Sequence, residues 1–145
     1  MIIRKASFLF LLFSLGCEPQ LVDDPIPIVS FNEIVINLSF PEYIVLRNDK
    51  GFKELPEGGV RGIIIYHAGG TTYHAYERNC SYRPNEACAT VNVHSSGLFM
   101  TDPCCGSNFN FEDGSPSGGA AWRPLRKYRT QLNGDLLTIT DEILD

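Results

Sequence analysis

The sequence predicts an all-β domain of many short strands, at the spacing of a sandwich or a barrel. Three observations point there. No long stretch carries the 3.6-residue apolar period of a helix. Short apolar or alternating runs, such as Ile34–Phe40 and Gly62–Tyr66, recur between turns made of Gly, Pro, Asn and Asp. Two cysteine loops are held between such runs. One is Asn79-Cys80-Ser81-Tyr82-Arg83-Pro84, with Cys88 beyond it. The other is Thr101–Phe109, where adjacent Cys104 and Cys105 precede Gly106-Ser107, a composition that fits neither helix nor regular strand. Two loops meeting tip to tip are expected.

The domain begins after a leader. Residues 1–16 have a basic start (Arg4, Lys5), an apolar run from Ala6 to Leu15, and Gly16 before Cys17. The run is shorter than the roughly 20 apolar residues of a membrane span and has the length of a secretory h-region. Ser14-Leu15-Gly16-Cys17 resembles a bacterial lipobox, with Ser14 where Leu is usual. Cleavage before Cys17 makes its thiol the site of a lipid anchor, and stable attachment takes more than one acyl chain. Residues 17–33, with Pro19, Pro25, Pro27 and Asp23-Asp24, are expected to be an extended tether, and residues 34–145 the folded domain.

Within the domain, Ile34–Phe40 alternates like a half-buried strand and Pro41 ends it. Tyr43–Leu46 is expected to be a second strand, before the turn Asn48–Gly51. After Pro56–Gly59, the continuous apolar run Gly62–Tyr66 suits a central buried strand. Gly69-Gly70 turns the chain into the strand Thr72–Tyr76, which runs up to the first cysteine loop. Ala89–Val93 and Leu98–Met100 flank a hairpin turn at His94–Gly97, and this hairpin links the two loops. Gly114, Pro116, Gly118 and Gly119 predict a flexible lip. Lys127–Leu132 and Leu136–Ile139 form a final hairpin around Asn133-Gly134.

Charge narrows the partners. Twelve basic residues, less the leader's Arg4 and Lys5, face 17 acidic ones, which deepens the net charge from −5 to −7. That excludes nucleic acid, which needs a basic surface, and leaves membrane attachment to Cys17. Export places Cys80, Cys88, Cys104 and Cys105 where disulfides are the default, and four thiols allow three pairings. No nucleophile–base–orienter set is visible, so no catalytic residue and no enzyme activity is expected. Ser95, Ser96 and Ser107 are turn serines, and Glu112-Asp113 is a solvated loop. His67, His74 and His94 are expected as partly exposed strand-end residues. Zinc held by four cysteines is disfavoured, because vicinal ligands crowd a tetrahedral ion and there is no Cys-x-x-Cys knuckle. Phe109, Phe111 and Trp122 are expected to pack around the second loop, with a docking patch as the sharper alternative. Arg123, Arg126, Lys127 and Arg129 are expected on a solvated face, or at a docking site for an acidic partner.

The order of motifs carries a family resemblance. Tyr73-His74-Ala75-Tyr76 leads into a Cys loop, and a hairpin leads to Pro103-Cys104-Cys105-Gly106-Ser107-Asn108-Phe109. A Gly-rich segment, Pro124-Leu125 and a hairpin with Gly134-Asp135 follow. Over about Tyr43–Thr140 this resembles the Rieske iron–sulfur domain, which implies stacked antiparallel sheets with the two loops at one end. Members of that family carry Cys-x-His in the first loop and Cys-Pro-x-His-Gly-Ser in the second. Two cysteines hold one iron of a [2Fe–2S] cluster and two histidines hold the other.

Carried over residue by residue, Cys80 keeps the first-loop cysteine and Tyr82 replaces its histidine. Asp102 stands for the second-loop cysteine and Cys105 for its histidine, while Pro103, Gly106 and Ser107 hold the register. Phenol and carboxylate are poor iron–sulfur ligands. The expectation is therefore a lost cluster, with no cofactor and no metal. The alternative is an electron carrier with an atypically ligated [2Fe–2S] cluster, held first by Cys80 and Cys105. Some family members also join their loops by a disulfide, at positions corresponding to Cys88 and Cys104. That leaves Cys80 and Cys105 facing each other, so Cys88–Cys104 and Cys80–Cys105 are the expected bridges. Together these points describe a lipid-anchored protein of the bacterial cell envelope, on the periplasmic or outer face of a membrane. It would act by binding another envelope protein.

Overall fold

A computed structural model of the chain describes residues 24–144. The leader, Cys17 and the first part of the expected tether lie outside the described residues. Residues 24–33 have no regular secondary structure and lie along the domain. Arg123 donates to the Asp24 carbonyl at 2.8 Å, and Arg126 donates to the carbonyls of Ile26 and Pro27. Phe31 meets the Tyr128 ring edge-on, with centroids 5.0 Å apart. This part of the tether is strapped down, because an extended Pro-rich segment has carbonyls free to accept from arginine.

The domain is all-β, as expected. β1 (Ile34–Asn37), β2 (Phe52–Leu55), β3 (Ile63–Gly69), β4 (Thr72–Glu77), β9 (Lys127–Asn133) and β10 (Leu136–Leu144) form a six-stranded antiparallel sheet. Its order is β1-β10-β9-β4-β3-β2. β5 (Asn92–Val93), β6 (Met100–Asp102), β7 (Ser107–Phe109) and β8 (Pro116–Gly118) form a four-stranded antiparallel sheet in sequence order.

β3 explains why Ile63-Ile64-Ile65 is apolar without interruption. Successive side chains of a strand point to opposite faces. Ile63 and Ile65 enter one core with Ile36, Leu46, Leu137 and Ile139. Ile64 and Tyr66 enter a second core with Cys80, Val91, Met100 and Phe109. The neighbouring β4 divides likewise, giving Tyr73 and Ala75 to the first core and Tyr76 to the second. The second core joins the six-stranded sheet to the smaller one, so the cysteine loops are rooted in packed apolar side chains.

Four local expectations need correction. Tyr43–Leu46 is not a strand; Pro41–Arg47 forms a 3-10 helix. Proline at its start has a φ already suited to a helix, and Glu42 in the first turn and Arg47 in the last complement the helix dipole. The Gly-rich lip includes a strand, since β8 pairs with β7 through Asn108↔Gly118 and Phe109↔Pro116. A side chain at Gly119 would strike the Gly106 carbonyl at 2.3 Å, so this glycine lets the lip close against the second loop. The last hairpin pairs Asn133 with Leu136, so its turn is Gly134-Asp135 rather than Asn133-Gly134. Gly134 takes φ 60°, which fits glycine at the first central position of a two-residue turn. His67 is not partly exposed. It is 4% exposed and stacked on Tyr73, with its ring nitrogens 3.0 and 3.1 Å from the carbonyls of Asn48 and Gly70.

Candidate functional site

The first cysteine loop stands on two charged residues that sequence patterns did not single out. Glu77 ends β4 and is completely buried. Its carboxylate accepts from the backbone N–H groups of Val60, Arg61 and Asn79 and from the Tyr128 hydroxyl, at 2.8–3.1 Å. A buried carboxylate is tolerable when hydrogen bonds replace its water, and here four do. The Tyr128 hydroxyl is pushed up by burial and by this carboxylate. Arg61 spans the loop, donating to Asn79 Oδ1 at 2.7 Å and to the carbonyls of Glu86 and Ala87 at 2.6 and 2.9 Å. The loop base is closed by the Asn79↔Thr90 bridge and by Cys80 N–H bonded to the Ala89 carbonyl.

The second loop is the tip of the β6–β7 hairpin. Asp102 Oδ1 accepts from Cys104 N–H at 2.9 Å, and the Asp102 carbonyl accepts from Gly106 N–H at 2.8 Å. Where the family resemblance places a ligand cysteine, the carboxylate thus shapes the turn. Ser107 Oγ accepts from Ala121 N–H at 2.9 Å, tying the loop to the lip.

The two loops meet through two cysteine pairs. Cys88 is disulfide-bonded to Cys104, with Cα atoms 5.6 Å apart. The second expected bridge, Cys80–Cys105, is not made. Both residues are free thiols and their sulfurs are 3.7 Å apart. The surroundings supply a reason. Cys105 Sγ lies 3.2 Å from Asp102 Oδ2 and 3.0 Å from Ser107 Oγ. Cys80 and Asp102 are both 0% exposed. Oxidation would remove two S–H donors and leave a sealed carboxylate facing sulfur atoms that only accept. Burial pushes the Cys80 thiol far up; its hydrogen bond with Asp102 adds to this, and the Tyr82 backbone N–H pulls the other way.

Cys80, Asp102 and Cys105 therefore form a group whose potential ligand atoms lie within 4.8 Å of one another. Glu86, Cys88 and Cys104 form another, but disulfide sulfurs are not thiolates and ligate poorly. A [2Fe–2S] cluster of the kind implied by the resemblance does not fit the first group. In that arrangement Cys80 and Cys105 would hold different irons and stand on opposite sides of the cluster, yet their sulfurs are only 3.7 Å apart. Asp102 Oδ1 is held by the turn, which leaves one carboxylate oxygen, a poor iron–sulfur donor, and Tyr82 packs against the second core beneath the Arg83 guanidinium, 5.4 Å from its ring centre.

The remaining candidates lie elsewhere. No histidine joins either group among the described residues. His74 Nδ1 lies 3.1 Å from the Phe111 carbonyl, which can only accept from it, and 3.1 Å from the Tyr76 hydroxyl, and burial lowers its pKa. His94 stacks on Phe99. Phe109 and Phe111 are core residues, whereas Trp122 is 44% exposed beside the second loop. The basic run is occupied: Arg123 and Arg126 hold residues 24–27, Arg129 pairs with Glu142, and Lys127 lies over the Tyr76 ring. Glu112 and Asp113 are exposed, and the Ser115 backbone N–H holds the Asp113 carboxyl below its usual range.

Neither a family model nor a curated protein sequence matches the chain. Among solved structures, a complex of reduced oxygenase and oxidized ferredoxin in carbazole 1,9a-dioxygenase is similar to it. The identity is 16% and the TM-score 0.49, over 67% of this chain and 86% of that chain.

Proposed function

We propose that the chain is an exported, lipid-anchored protein of the bacterial cell envelope. Its Rieske-like domain has given up the [2Fe–2S] cluster and acts by binding another envelope component, without catalysis or electron transfer. One observation carries the loss of the cluster: Cys80 and Cys105 are in contact at 3.7 Å beside a buried Asp102. Thiol, thiol and carboxylate close on one point, where two pairs of ligands would have to stand apart. The Cys88–Cys104 disulfide keeps the loops joined in place of the cluster. Ser14-Leu15-Gly16-Cys17 supports lipidation, and exposed Trp122 offers an apolar contact at the loop end.

Anaerobic purification followed by visible spectroscopy and assays of iron and acid-labile sulfide tests the loss of the cluster. A colourless protein without sulfide is expected. About two irons and two sulfides per chain would restore the electron-carrier alternative. Anchoring is tested separately: Cys17→Ala should abolish lipid incorporation and move the protein from the membrane to the soluble fraction. Retention of the lipid in that variant would refute anchoring at Cys17.

A further inference from the structure

We propose that Cys80, Cys105 and Asp102 together bind a single thiophilic divalent cation, zinc in the first instance. The inference rests on the cluster having been lost. The Sγ–Sγ distance of 3.7 Å is far longer than a disulfide, and the sulfurs of a tetrahedral site, each about 2.3 Å from zinc, stand about 3.8 Å apart. A carboxylate oxygen bound at about 2.1 Å would lie about 3.6 Å from each sulfur, and Asp102 Oδ2 is 3.2 Å from Cys105 Sγ. For the Cys80–Cys105 and Cys105–Asp102 pairs, shifts of a few tenths of an ångström give coordination distances, and all three ligand atoms lie within 4.8 Å of one another. The vicinal crowding that argues against a four-cysteine site does not arise, because the disulfide draws Cys104 away to Cys88.

Burial favours a cation as well. Asp102 is 0% exposed and its Oδ2 accepts from the Cys105 thiol, a weak donor, at 3.2 Å. A divalent ion would neutralise that carboxylate and stabilise both thiolates, while Asp102 Oδ1 keeps its bond to Cys104 N–H. Cys105 is only half-buried, so the fourth position is open to a water molecule on its side. Each ion bound displaces two thiol protons, which pass to solvent.

The test uses the full chain with its Cys88–Cys104 disulfide intact, stripped with chelator in the absence of reductant and oxygen, desalted and titrated with zinc chloride. Saturation at one ion per chain, release of about two protons per ion, and protection of both thiols from alkylation are expected. Cobalt(II) in place of zinc should give thiolate-to-metal charge-transfer absorption. Cys105→Ser, at a half-buried position, and Asp102→Asn, which keeps an acceptor for Cys104 N–H, should each weaken zinc by about 100-fold or more. Circular dichroism checks that both variants fold. Absence of saturable binding, or zinc affinity unchanged in a folded Cys105→Ser protein, would overturn the site while leaving the cluster-free assignment standing. Iron with labile sulfide in the native protein would overturn both.

Discussion

Cys88–Cys104 and Cys80–Cys105 bridge the same two loops from neighbouring positions, yet one pair is bonded and the other is not. Cys88 is exposed and Cys104 partly so, with the Glu86 carboxylate 3.6 Å from the Cys104 sulfur. Water can solvate whatever that pair leaves unpaired. Cys80 is sealed in the second core and shares a buried carboxylate with Cys105. There, joining the sulfurs strands the acid. The difference teaches that solvent access and neighbouring acceptors, more than spacing along the chain, decide which cysteines pair.

The largest effect should come from the footing the two pairs share. Glu77→Ala leaves three backbone N–H groups and the Tyr128 hydroxyl without their acceptor, and should cost about 3–5 kcal/mol in urea unfolding. Removing the bonded pair as Cys88→Ser with Cys104→Ser should cost about 2–4 kcal/mol, through the 16-residue separation it closes. Cys80 and Cys105 should remain thiols in that variant; their oxidation would show that the pairs merely compete for loop geometry. Asp102→Ala should cost about 1–3 kcal/mol, and in air it should allow the Cys80–Cys105 bridge to form, since no buried acid is then stranded. Non-reducing peptide mapping would detect the new bond.

The smallest effect is one of reactivity. In chelator-treated native protein, iodoacetamide should modify Cys105 before Cys80. Because the Cys80 thiol is pushed up, its thiolate is scarce at neutral pH and its alkylation rate should keep climbing above pH ~8.5, where an ordinary thiol levels off. A plateau near that value would place Cys80 in a wet, unperturbed site.

Much of the fold was legible because strands announce themselves by period and turn. Ile63–Ile65, the Asn133–Asp135 turn region and the β5–β6 hairpin all follow that rule. β2 was missed because Lys53 and Glu54 interrupt its apolar pattern, and Glu54 is there to hold Arg78 and the Val93 N–H. In the site, cysteine positions and register could be taken from motif order. The roles of Glu77 and Arg61 could not, since a charged residue in a strand or turn looks solvated until its partners are known. The fate of Cys80 and Cys105 depends on the burial of Asp102, a tertiary property with no local signature.

Intact mass of the chelated, denatured, non-reduced chain tests the central claim most directly, once the Cys17 modification has been allowed for. One bridge and two thiols place it two hydrogens below the fully reduced mass, and that is the predicted result. A mass four hydrogens below would mean that Cys80 and Cys105 are also bonded, and would contradict the account.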